Sequence, residues 1–119
     1  MDLILHNKLH LSSLKREFNT TFPYLRLELY YLKSGNGRIP LRVPDEKELG
    51  ELRRSDSDEV PVIRKGMTVA ELEELFLNNY GLDAQIYRQS GKLWLETTLT
   101  SGWTLSHQNM EGMAISFKP

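Results

Sequence analysis

Residues 66–98 read GMTVAELEELFLNNYGLDAQIYRQSGKLWLETT, a helix marked at both ends and followed at once by two alternating segments. Thr68 with Glu71 three residues later makes a capping box, Met67 and Leu72 can close a hydrophobic staple, and Gly81 offers a left-handed stop. The spacing predicts a helix over 69–80. Val69, Leu72, Phe76 and Tyr80 fall on one stripe with Leu75 beside it, while Glu71, Glu74 and Asn78 face away. The period then changes to two. Ala84 and Ile86 oppose Gln85 and Tyr87; past a hairpin turn around Gln89, Ser90 and Gly91, the residues Leu93, Leu95 and Thr97 oppose Trp94, Glu96 and Thr98. The aliphatic set is expected to face the helix, which leaves the other set on a second face.

The first half echoes the second. Leu14/Leu72, Phe18/Phe76, Phe22/Tyr80, Leu25/Leu82, Leu29/Ile86 and Tyr30/Tyr87 recur in the same order with one residue of slip at the turn, a helix–strand pseudo-repeat of 12–33 and 68–89. Any amphipathic helix feeding a strand puts Leu and Phe at such spacing, so the echo has an ordinary explanation as well. In the first copy Ser12 or Ser13 is the expected cap, Pro23 ends the helix, and Leu25, Leu27, Leu29 and Tyr31 form an inward row. Ahead of it, Leu3 to Leu9 reads as a strand. Residues 35–60 vary in character: a turn at Ser34 to Gly37, an edge strand from Arg38 to Val43 bounded by prolines, a short helical turn capped by Asp45 with Glu48 and carrying Leu49 and Leu52, a loop over Arg53 to Glu59, and a strand from Val60 to Arg64. At 119 residues the chain fits one domain. The order predicts an α+β two-layer sandwich, a mainly antiparallel sheet with two helices packed on one face.

The second sheet face is where a function can sit. Tyr30, Tyr87, Trp94, Glu96 and Thr98 share it, with Glu28 and Gln85, and aromatic residues among polar ones suit a protein partner. The competing expectation is that Met110, Met113, Ile115 and Phe117 cover Trp94. A second, polar cluster is Trp103, His107, Gln108 and Asn109. Thr104 or Ser106 would cap a short helix stopped by Gly112, with His107, Gln108 and Asn109 near solvent and Glu96 or Glu111 able to orient the imidazole. No nucleophile turn surrounds any serine, so no catalytic residue is assigned, and a hydrolase- or transferase-like site around Glu96 and His107 is the alternative reading.

Composition removes other classes. The chain has no cysteine, and with a net charge of −1 it lacks the basic footprint of a general nucleic-acid binder. Arg38, Arg42, Arg53, Arg54, Arg64 and Lys65 make the middle locally basic, but acidic residues interleave with them and nucleic-acid binding ranks third. His6 and His10 match no metal pattern, and SGNGR matches no phosphate loop. No metal and no cofactor is expected. The first residues lack a signal peptide's charged and apolar parts, no window reaches membrane-span length, and a cytoplasmic location is the expectation.

Residues 67–109, MTVAELEELFLNNYGLDAQIYRQSGKLWLETTLTSGWTLSHQN, resemble a family of small uncharacterised bacterial proteins, and FNTTFPYLRLE and ELGELRR upstream look similar too. The resemblance implies a shared fold and no chemistry. The reading that results is a non-enzymatic protein-binding or scaffold module, with an unidentified protein partner or a second copy held on the aromatic face or a strand edge.

Overall fold

The computed structural model describes residues 2–32, 40–54 and 58–117, in which helix α3 (Val69–Tyr80) has the ends that its sequence marks. The Glu71 amide donates to Thr68 Oγ1 at 3.1 Å, the Thr68 amide donates to Glu71 Oε1 at 2.9 Å, and Gly81, at φ 62°, ends the helix. Helix α1 (Leu11–Thr21) starts before either serine expected to cap it. His10 holds the cap position with no side-chain bond, and the Leu11 and Ser12 amides donate instead to the carbonyls of Lys47 and Asp45, both at 2.9 Å. The short helix α2 (Leu49–Leu52) is capped by Glu48 with Glu51, one turn later than an Asp45 cap would place it. Helix α4 (Leu105–Ser116) is capped by Thr104 and runs straight through Gly112, the expected stop.

The main sheet orders β2 (Leu25–Tyr31), β4 (Leu82–Ser90) and β5 (Leu93–Glu96), all antiparallel. Residues 41–43 lie along the other edge of β2, where Tyr31 donates to Leu41 at 2.9 Å and Val43 donates to Leu29 at 3.0 Å. The expected strand from Leu3 to Leu9 is cut short. Only β1 (Leu3–Ile4) is extended, because the chain turns at Asn7 and Lys8, and it pairs with β3 (Val62–Ile63) in a separate two-stranded sheet. The structure is thus α+β, with four helices and two antiparallel sheets among the described residues. Leu14 and Phe18 of α1, Leu72, Phe76 and Tyr80 of α3, and Leu25, Leu27, Leu29, Leu82, Ala84 and Ile86 of the sheet close one core. The Ser34–Gly37 turn, Arg38 and the centre of the Arg53–Glu59 loop lie outside the described residues.

The halves make the same backbone bonds. Leu25 pairs with Arg88 as Leu82 pairs with Tyr31, and Glu28 stands opposite Gln85 at the centre of the register. Val43 donates to Leu29 as Thr97 donates to Ile86; Leu11 and Ser12 donate to Lys47 and Asp45 as Val69 and Ala70 donate to Trp103 and Ser101; Leu49 donates to Leu9 as Leu105 donates to Met67. The correspondence stops after these helix starts, since α2 has 4 residues and α4 has 12.

Candidate functional site

Alternation along β2, β4 and β5 puts Arg26, Glu28, Tyr30, Gln85, Tyr87, Gln89, Trp94 and Glu96 on the face opposite the buried row. The helices contact β2 and β4 from the aliphatic side, where Gly112 of α4 meets Tyr24, Arg88 and Gln89. The outer face therefore carries a hollow of about 330 Å³ lined by Arg26, Glu28, Tyr30, Arg42, Tyr87 and Trp94. The described residues of the C-terminal segment do not line this hollow beside Trp94. Phe117 packs edge-on against Tyr24, ring centroids 5.9 Å apart, and Met110, Met113 and Ile115 are exposed.

Charge and aromatic groups hold this face in shape. The Arg26 guanidinium lies over the Trp94 ring, 5.0 Å from its centroid, which fixes the indole as one wall. Glu28 takes Arg42 at 2.7 Å and Lys15 at 3.4 Å, and Lys15 also reaches Asp45 at 2.7 Å. The hydrogen bond from Lys15 holds the Asp45 carboxyl below the usual carboxylate range against a smaller opposing effect of burial. Tyr30 and Tyr87 occupy equivalent places in the two halves and flank Glu28 and Gln85. Burial first, then hydrogen bonding to Tyr30, pushes the Tyr87 phenol up to about 12, so Tyr87 stays neutral and able to donate at ordinary pH.

Of the residues expected on this face, Tyr30, Tyr87 and Trp94 meet in the hollow, and Glu96 stands opposite Tyr87 in the register. Thr98 does not belong. The strand ends at Glu96, Thr97 turns inward to donate from Oγ1 to the Ile86 carbonyl at 2.8 Å, and Thr98 begins a single 3-10 turn, Thr98–Thr100. Leu93 and Leu95 were expected to face helices, yet they are 66% and 42% exposed because β5 extends past the elements that α4 and α3 cover. Arg26 and Arg42 are the residues that sequence reasoning missed. Arg26 was legible, since it alternates with Glu28 and Tyr30 in one run; Arg42 arrives only through the pairing of 41–43 with β2.

The polar cluster divides. Gln108 is fully buried rather than near solvent, donating to Thr100 O and Oγ1 at 2.8 Å and accepting from Arg88 at 2.9 Å. Asn109 accepts from the Tyr24 amide at 2.8 Å and ties α4 to the turn before β2. Trp103 lies between Arg88, 5.4 Å from its ring centroid, and His107, stacked at 4.3 Å. His107 is half exposed and its nearest carboxylate, Glu111 one turn on, is 3.7 Å away, outside hydrogen-bond reach. These residues anchor a helix. The arginines of the middle segment also separate: Arg42 pairs with Glu28 on the outer face, Arg64 with Asp2 at 3.6 Å, and Arg53 donates to the Glu59 carbonyl at 2.6 Å. Among the described residues no group of three or more His, Asp or Glu could hold a metal, and no helix is long and apolar enough to cross a membrane.

No family model, curated protein or solved structure matches the chain.

Proposed function

We propose that the chain is a non-enzymatic binding module whose outer sheet face, continued by the edge of β5, receives a protein partner, in the cytoplasm. The observation that carries this reading is the hollow on the helix-free face, in which Tyr30, Tyr87 and Trp94 stand among Arg26, Glu28 and Arg42. Such a face offers what interface centres use: large rigid side chains with polar tips, and charged groups already held in geometry. Leu93 and Leu95 lie exposed on the adjoining strand, paired on one side by β4, and extend the contact with apolar area. A second copy of the chain is one partner of this kind.

Affinity capture from the native lysate, beside sedimentation of the purified protein, tests the proposal with Trp94→Ala and His107→Ala. The expected result is a partner or a dimer that weakens about tenfold or more with Trp94→Ala and is unchanged by His107→Ala. Binding that survives Trp94→Ala, or that is lost with His107→Ala alone, defeats the reading and moves attention to the site around Glu96 and His107.

A further inference from the structure

The α3–β4 turn borders a pocket of about 370 Å³ whose walls include Tyr31, Leu32, Arg53, Arg54, Tyr80, Gly81 and Leu82. Its origin lies in the unequal second helices. In one half α4 runs on for 12 residues and packs on Tyr24, Arg88 and Gln89; their counterparts in the other register are Gly81, Tyr31 and Leu32, and there α2 stops after 4. The space is not open to another helix. Arg54 leaves α2 with its amide bonded to the Asn79 carbonyl at 2.8 Å and lays its side chain directly on Gly81, where a Cβ would collide with the guanidinium. What remains is a recess of small-molecule size.

Two polar groups in its walls are open to a ligand, and one of them is buried without a partner. Arg54 is exposed, with no ion pair to a carboxylate of the described residues, and the Tyr80 hydroxyl, on a side chain 1% exposed, makes no hydrogen bond, although the Arg53 guanidinium stands over its ring 5.9 Å from the centroid. Packing does not require that hydroxyl, because the equivalent position in the first half is Phe22, equally part of the core. A buried hydroxyl without a partner costs stability, so its presence calls for an acceptor. Glu51, also on the rim, is engaged elsewhere: its carboxylate accepts from the Glu48 amide at 2.9 Å and faces Lys47 at 3.9 Å. Tyr31, Leu32 and Leu82 offer apolar area beside these donors.

We propose that this pocket binds a small organic carboxylate, its carboxylate paired with Arg54 and accepting from the Tyr80 hydroxyl, its apolar body on Tyr31, Leu32 and Leu82. The site is independent of the outer sheet face. Benzoate titrated into the folded protein, followed by amide NMR, is the test, with inorganic phosphate as comparator. Saturable shifts centred on Leu32, Gly81 and Leu82 are expected, weakened about tenfold or more by Arg54→Gln and about threefold by Tyr80→Phe, which keeps the ring that Phe22 shows is sufficient for packing. Trp94→Ala should leave the titration unchanged. Shifts that are absent, unsaturable or indifferent to Arg54→Gln overturn the proposal; phosphate binding the same amides as tightly as benzoate overturns the assignment of an organic acid.

Discussion

Gly112 shows how a single missing carbon positions α4. A Cβ there would sit 2.8 Å from Tyr24 Cβ, 3.1 Å from Arg88 Cγ and 3.2 Å from the Gln89 carbonyl. Alanine favours the helix by about 1 kcal/mol, but forcing the helix off the sheet costs about 1–3 kcal/mol. Gly112→Ala should therefore lower stability in urea denaturation, and an unchanged or raised midpoint would show the contact to be looser than the distances say. Tyr87 gives a residue-scale prediction in pH. Its folded pKa of about 12 lies above the ordinary 10.0, so the unfolded chain loses the phenolic proton first. Stability from this group is whole below pH 10 and is lost as the pH rises from 10 to about 12. Tyrosinate absorbance should show a late-titrating group in the folded protein that disappears in Tyr87→Phe, and Tyr30→Phe should bring that group earlier.

At the scale of elements, the helices separate into those capped by side chains and one capped by backbone. Thr104 Oγ1 accepts from the His107 amide at 3.0 Å, as Thr68 does for Glu71. Thr104→Ala should cost about 1 kcal/mol. Ser12→Ala and Ser13→Ala, by contrast, should shift stability by less than about 0.5 kcal/mol, because α1 begins on the carbonyls of Asp45 and Lys47. Chemical denaturation of the three variants separates the cases, and a loss at either serine equal to that at Thr104 would contradict the backbone cap. The difference explains what could be read beforehand. The α3 cap and stop are local chemistry between residues three or four apart, whereas the start of α1 depends on a segment more than thirty residues away in the chain. Gly112 misled for the same reason: as a local signal it ends helices, and only its contact with Tyr24 and Arg88 makes it a packing residue.

Over the whole molecule, the longest pairing, β2 with β4, lies under both α1 and α3, while β1 and β3 share a two-residue ladder. Amide hydrogen exchange should be slowest at Leu27, Leu29, Ala84 and Ile86 and fastest, among strands, at β1 and β3. Uniform protection would mean that the small sheet is no weaker than the main one. The palindromic register also puts Tyr30 and Tyr87 on either side of the Glu28–Gln85 pair, which is how both come to line one hollow. By itself the sequence determined the α+β class, the helix over 69–80, the hairpin after it, and the two-sided character of β2 and β4. All of these follow from periodicity and capping, which act over a few residues. Only the tertiary structure decided that β5 overhangs the helix layer, that Thr98 leaves the sheet, that Gln108 is buried, and that Arg42 and Arg54 each close a pocket. Those outcomes depend on which distant segments pack together, and the free energy of that packing is shared between residues that local patterns cannot connect.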